Sequence, residues 1–185
     1  MSSEAAPIPT VHGAPACCSP QRDPSGGAAA SPDAPERPRG GSGAAGLLDL
    51  SGGTFWMGSD ETRYPDDGES PSRPVHVAGF RISAHTVSNA DFARFTAATG
   101  YLTTAERDGW SFVFGGLLPA DFPPTRAVAQ APWWRQVLGA TWRHPEGPAS
   151  DLVDRSDHPV VHVSWLDARA YCGWADGRLP STPGG

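Results

Sequence analysis

The sequence predicts an irregular, loop-rich α+β domain, and three observations carry that prediction. Short runs of β-forming residues occupy residues 47–82. Two capped helical patterns follow at residues 88–100 and 164–177. Between them lies an aromatic-rich stretch broken by Gly and Pro. Residues 1–46 read differently: Ala, Pro, Gly and Ser with scattered charges and no aromatic residue. That stretch has too little apolar surface to offset an ordering entropy of roughly 1–2 kcal/mol per residue, so a disordered tail is expected there, and the domain over residues 47–185.

The balance of charge excludes some partners. A formal net charge of −6 gives no electrostatic reason to bind nucleic acid or an anionic membrane. No run of about 18 apolar residues is present, so no membrane-spanning segment is expected. The N-terminus lacks the basic start and apolar core of a secretory signal. Three Cys residues, two of them the adjacent Cys17 and Cys18, do not make a disulfide framework. A reducing, cytoplasmic setting is the expectation.

Within the domain, Leu50, Phe55 and Met57 lie among Gly52, Gly53 and Gly58, which predicts a short strand between tight turns. Residues 60–74 are acidic and contain Pro, which predicts an exposed loop. Val75-His76-Val77 alternates, and Phe80-Arg81-Ile82 continues the period of two. The first helix then begins at Ser88 as N-cap, with Asp91 three residues on, Phe92 and Phe95 on one face, and Gly100 closing it. From Tyr101 to Asp154 the aromatic clusters Trp110 to Phe114, Trp133-Trp134 and Trp142 are read as long packed loops, since Gly115-Gly116 and Pro119 to Pro124 interrupt any long helix. Val160, Val161 and Val163 predict a short buried strand that feeds the last helix. Ser164 caps that helix and Asp167 meets its first turn. Ala168, Tyr171, Cys172 and Ala175 share a face, Gly177 supplies the left-handed closing residue, and Pro180 prevents resumption.

Several constellations carry the right residue types for chemistry, and none makes a complete site. Asp60, Glu61, Asp66, Asp67 and Glu69 lack the spacing of a calcium loop and read as a solvated charged segment. His76 and His85 read as structural. Cys17 and Cys18 pair two soft thiols without further ligands at defined spacing. His158 and His162 lie about 13 Å apart on a straight strand, too far for one ion. They also fail the His-x₃-His-x-Glu pattern of the non-haem iron sulfoxide synthases, because the last position is Ser164. A metal-dependent hydrolase built on His144, His158 and His162 is the remote option. Cys172 sits mid-helix, where a small inert hydrophobe is the usual role. No phosphate-binding loop, dinucleotide fingerprint or serine elbow appears.

Other stretches carry a resemblance. Gly52-Gly53-Thr54-Phe55-Trp56-Met57-Gly58-Ser59, Val87-Ser88-Asn89-Ala90-Asp91-Phe92 and Thr99-Gly100-Tyr101 resemble the formylglycine-generating enzyme (sulfatase-modifying factor) family. More specific are Trp110-Ser111-Phe112-Val113-Phe114, Ala131-Pro132-Trp133-Trp134, residues 139–148 from Gly139 to Pro148, and His158 to Trp165. The likeness covers residues 47–180. It implies a C-type-lectin-like α+β fold and an oxidase that converts a Cys within a Cys-x-Pro-x-Arg segment of sulfatases to Cα-formylglycine. It also implies O₂, a copper(I) ion held by two cysteine thiolates, and calcium. In that chemistry a hydrogen leaves the substrate Cβ and the resulting thioaldehyde hydrolyses to the aldehyde.

After Arg178-Leu179-Pro180 the family pattern continues with a Thr-Glu-Ala-Glu-Trp-type helix and a long further stretch, whereas this sequence reads Ser181-Thr182-Pro183-Gly184-Gly185. The copper-binding cysteine pair, the calcium ligands and the neighbouring substrate contacts of the family fall in that further stretch. Cys172 matches a position that in some members pairs with a late cysteine, and Cys17 and Cys18 match nothing around the catalytic pair. The expectation is a C-terminally truncated member, inactive as given, with no catalytic, cofactor-binding or metal residue assigned. A non-catalytic peptide- or ligand-binding module of the same fold is the alternative.

One stability expectation follows. Phe55, Trp165, Tyr171 and Trp174 would lose partners, each exposing roughly 1.5–3 kcal/mol of apolar burial. The purified 185-residue chain is therefore expected to melt broadly or aggregate in calorimetry; a sharp cooperative transition would contradict this.

Overall fold

A computed structural model of the chain describes residues 46–181 apart from 62, 65 and 67. The tail expected over residues 1–46, and Cys17 and Cys18 with it, lies outside the described residues except for Gly46.

Chain order runs from a β-ribbon through two helices to a small sheet and a last helix. Strands β1 (Leu47–Leu50) and β4 (Phe80–Ser83) pair antiparallel, with Leu48 opposite Ile82 and Leu50 opposite Phe80. Strands β2 (Gly53–Met57) and β3 (Arg73–Val77) pair inside them, with Phe55 opposite Val75. The ribbon breaks where its two glycines meet: a Cβ on Gly52 would lie 2.6 Å from the Val77 carbonyl oxygen and 2.7 Å from the Gly79 nitrogen. Only glycine allows that approach. The strand expected around residues 50–57 is therefore two strands, and the acidic loop ends at Ser72, two residues before Pro74.

Helix α1 (Asn89–Thr99) has the capping box expected of it. The Asp91 amide donates to Ser88 Oγ at 3.1 Å and the Ser88 amide donates to Asp91 Oδ2 at 3.2 Å. Gly100 ends it at φ 65°, its amide donating to Thr96. A short helix α2 (Thr104–Asp108) repeats this grammar with Thr103 and Glu106, closing on Gly109 at φ 74°.

Residues 101–154 differ from the expectation of packed loops. They contain a three-stranded antiparallel sheet of β5 (Trp110–Phe114), β6 (Ala127–Val128) and β7 (Ala131–Leu138), in the order β5-β7-β6. The clusters Trp110 to Phe114 and Trp133-Trp134 are strands because residues 115–126 fold away as one long connection and let distant segments pair, whereas Trp142 lies in the turn between Thr141 and His144. The alternation Trp110-Ser111-Phe112-Val113-Phe114 turns the small residues inward: Val113 packs with Val137 and Ala140, and the aromatic residues occupy the other face.

Residues 158–163 also differ. They form no strand but a single bridge, Ser88 to Pro159, in which the Asn89 amide donates to the His158 carbonyl and the Val160 amide to the Val87 carbonyl, each at 2.9 Å. The strand fails because His162 is left-handed at φ 57°, which breaks the period of two. Helix α3 (Trp165–Trp174) then starts on the Ser164–Asp167 box. Its closing residue is Asp176 at φ 57°, not Gly177. Gly177 follows and donates its amide to the Cys172 carbonyl at 2.8 Å, the outer bond of a Schellman closure. Aspartate tolerates that conformation better than most residues.

The main core lies between α1 and α3. Phe92, Phe95 and Trp142 are buried, and Tyr171 and Trp174 pack against them. Phe92 meets Trp142 edge-on at 5.3 Å, Tyr171 lies stacked on Phe92 at 5.9 Å, and Trp174 contacts Phe95 at 5.7 Å. Tyr171 and Trp174 therefore find partners within this chain, while Phe55 and Trp165 remain exposed. The face expected to be buried around Ala168 and Cys172 is only half-buried; the one fully buried side chain of α3 is Asp167. Its Oδ1 accepts from the Tyr101 hydroxyl and the Thr104 amide, each at 3.0 Å, and its Oδ2 accepts from the Ser164 amide at 2.7 Å. Beside it Thr104 Oγ1 and Ser164 Oγ are 2.7 Å apart. One carboxylate thus ties the N-terminus of α2 to that of α3.

Replacing Asp167 with Ala is expected to cost about 3 kcal/mol in urea denaturation, because it orphans buried donors. Asp91→Ala, at a half-exposed cap, is expected to cost about 1 kcal/mol. The Asp91 carboxyl titrates below its ordinary 3.8: burial works against its charged form, but the Ser88 hydroxyl and amide and the Arg94 charge outweigh it. Its contribution is complete above pH 3.8 and is lost as pH falls through the lowered folded value. Melting temperatures measured between about pH 4 and pH 2 should fall less steeply for Asp91→Asn than for the unaltered chain.

Candidate functional site

The residue that breaks the expected strand also builds the most developed concavity near the predicted site residues. The left-handed backbone of His162 turns its ring under the sheet, where Nδ1 lies 2.9 Å from Ser111 Oγ and Nε2 lies 2.8 Å from the Pro145 carbonyl oxygen. These bonds clamp the segment before α3 against β5 at Ser111. Beyond the clamp the two elements diverge and leave a cleft of ≈ 360 Å³.

Its aromatic wall is Phe112, Phe114 and Trp134, with Phe114 and Trp134 edge-to-face at 6.1 Å. Pro145, Pro159 and Val161 form the facing wall. At its rim Arg155 Nη1 holds both oxygens of Glu146, at 2.7 and 3.0 Å, so the two charges cancel. Asn89, only 4 % exposed, closes the back. Its Nδ2 donates to the Arg155 carbonyl at 2.8 Å, and its Oδ1 has no hydrogen-bond partner in this structure. A buried acceptor left unpaired costs roughly 1–3 kcal/mol.

Of the sequence candidates among the described residues, only His158 and His162 reach this cleft. His158 is exposed on its rim, and His162 has both ring nitrogens engaged, so neither is placed as a free base or paired ligand. His144 is occupied elsewhere, with Nδ1 at 2.6 Å from the Ser150 carbonyl oxygen. Two carboxylates of the acidic loop are spent on its own chain: Asp60 Oδ1 accepts from the amide and hydroxyl of Ser72 at 3.0 and 2.8 Å, and Glu69 Oε1 accepts from the Arg63 and Tyr64 amides. The Ser72 amide, then its hydroxyl, hold the Asp60 carboxyl below the ordinary carboxylate value. Burial raises the Cys172 thiol, which keeps it protonated and unreactive. Among the described residues no group of three or more His, Cys, Asp or Glu side chains is placed to hold a metal ion, and no helix is long and apolar enough to cross a membrane.

Sequence reasoning missed Asn89, Glu146 and Arg155 as members of one site. Asn89 and Arg155 are 66 positions apart, and no local pattern announces that meeting. The one available signal was an Asn directly after a helix cap, a position where the side chain has no helical role of its own.

Chemically the arrangement is a binding site: apolar walls, a neutralised rim and one unsatisfied acceptor. Comparison with known proteins places the chain in context. The model of the sulfatase-modifying factor enzyme 1-like domain matches residues 31–183. The formylglycine-generating enzyme of Mus musculus is 53% identical over 137 residues, covering 73% of this chain and 37% of that protein. The formylglycine-generating enzyme of Thermomonospora curvata is 52% identical over 140 residues, 75% of this chain and 46% of its own length. The inactive C-alpha-formylglycine-generating enzyme 2 of Bos taurus is 45% identical over 139 residues, again 73% of this chain and 45% of that protein. The chain thus spans less than half the length of these three relatives.

If the ring of His162 sets the cleft, His162→Ala should lower stability by about 2 kcal/mol and Ser111→Ala by about 1 kcal/mol. In a double-mutant cycle read by urea denaturation the second change should add little once the first is made.

Proposed function

Because the chain belongs to the sulfatase-modifying factor enzyme 1-like family, we propose that it contributes part of a formylglycine-generating oxidase. Its fold, on that reading, is the lectin-like one of the family. The substrate is a Cys within a Cys-x-Pro-x-Arg segment of a sulfatase polypeptide, oxidised at Cβ to the aldehyde with O₂ as electron acceptor. The observation that carries the proposal is identity of 53% and 52% to two enzymes of that name, over 137 and 140 residues.

Copper(I) and calcium enter only through the family. A soft copper(I) ion wants two thiolates, whereas the described residues hold one cysteine, Cys172, protonated and half-buried in a helix. These residues do not fit the ion, and no step of the reaction is assigned to them. The part played by this stretch is to build a scaffold and a binding cleft, and the 185-residue polypeptide by itself is proposed to be without turnover. A second reading, a non-catalytic binding module, is supported by the cleft and by the 45% identity to a relative named as inactive.

Mass spectrometry of a Cys-x-Pro-x-Arg peptide incubated with the chain, copper(I) and O₂ separates the readings. No aldehyde from the 185-residue chain, with aldehyde formed once its matched region replaces that of the Thermomonospora curvata relative, supports the oxidase. An inactive chimera that folds and still binds the peptide supports the module. Aldehyde from the chain alone would overturn the claim of inactivity.

A further inference from the structure

The cleft runs along an open sheet edge. Strand β5 pairs with β7 on one side, and β6 lies beyond β7. Gln136 stands opposite Phe112 in that pairing and donates its amide the other way, to the Arg126 carbonyl at 2.9 Å. Opposed residues of an antiparallel pair turn their N–H and C=O groups either both toward each other or both away. Phe112 therefore turns its backbone groups outward, and Phe114, two residues on, does the same. The Phe114 carbonyl is taken up by the 3₁₀ turn of residues 115–117, so the free groups at this edge are the N–H and C=O of Phe112 and the N–H of Phe114, none of them with a partner among the described residues. Phe112, Val113 and Phe114 all line the cleft. Consecutive strand residues point to opposite faces, so what the three share is this edge.

We infer that the Phe112–Phe114 edge takes an extended polypeptide segment as an added strand, with an apolar side chain of that segment seated against Phe114 and Trp134. Three features select this occupant. The outward backbone groups ask for a partner with its own alternating N–H and C=O groups. The free length, from the Ser111 clamp to the end of β5, is about 10 Å, or roughly three extended residues at about 3.3 Å each. The Glu146–Arg155 pair leaves no net charge at the rim, which suits an uncharged main chain. The inference rests on the proposed function only for naming that segment as part of the polypeptide that carries the Cys-x-Pro-x-Arg substrate.

The test uses the full chain and two fluorescein-labelled peptides, read by anisotropy. One joins Val-Thr-Phe-Thr-Val to Cys-Ala-Pro-Ala-Arg, and the other replaces the first five residues by Gly and Ser. The β-forming flank should bind about tenfold more tightly. N-methylating alternate residues of that flank should weaken binding about tenfold in one register and little in the other. Hydrogen exchange at the Phe112 and Phe114 amides should slow on binding. The flank without the Cys segment is the control that separates the two proposals: if it binds equally well, strand addition stands and the link to substrate falls. Equal binding by the Gly-Ser peptide, equal effects of N-methylation in both registers, or unchanged exchange at Phe112 and Phe114 would each overturn the inference.

Discussion

The fold turns on one buried carboxylate. Asp167 begins as a local helix cap, since its position three residues after Ser164 lets it reach back to the free amide of the cap. Packing then gives it a second task, because Tyr101 and Thr104 arrive from 66 and 63 positions away and donate to its other oxygen. A fully buried charge is tolerable only when its lone pairs are spoken for. The three donors, with the Thr104 hydroxyl donating to Oδ1 at 3.3 Å, meet that condition and fix α2 against α3. Burial, together with the charge and hydrogen bond of Asp167, raises the Tyr101 hydroxyl pKa and keeps it a donor. With this junction set, Tyr171 and Trp174 fall onto Phe92 and Phe95.

The cleft depends on a different device, a histidine used as a bracket. A left-handed non-glycine backbone is unfavourable by roughly 1–2 kcal/mol, and at His162 two ring hydrogen bonds offset it. The ring binds two segments at once, Ser111 on the strand and Pro145 on the loop. That is why the chain stops following β5 there. A cleft opens where an added strand would otherwise have closed the sheet.

How much of this was legible in the sequence depended on range. The Ser88–Asp91 and Ser164–Asp167 boxes and the Gly100 closure are read within a few residues, because capping is a contest between neighbouring backbone groups. The alternation of Trp110 to Phe114 was equally visible, but the strand was not, because its partner lies beyond the connection of residues 115–126. Within that strand the buried face belongs to the small residues Ser111 and Val113. At residues 158–163 β-branched valines argued for a strand, and two hydrogen bonds from one imidazole overrode them. Asn89 and Arg155 could not be joined in advance, since their contact exists only after α1 and the 155–160 segment are assembled.

That separation has a consequence during synthesis. Helix α1 presents Phe92 and Phe95, yet Trp142, which covers Phe92, is made well after it, with Tyr171 and Trp174 later still. At about 5–20 residues per second the interval from Phe92 to Trp142 alone lasts roughly 3–10 seconds. Through that time a completed helix waits with its aromatic stripe bare outside the ribosome, ready for capture by any holdase that reads exposed phenylalanines.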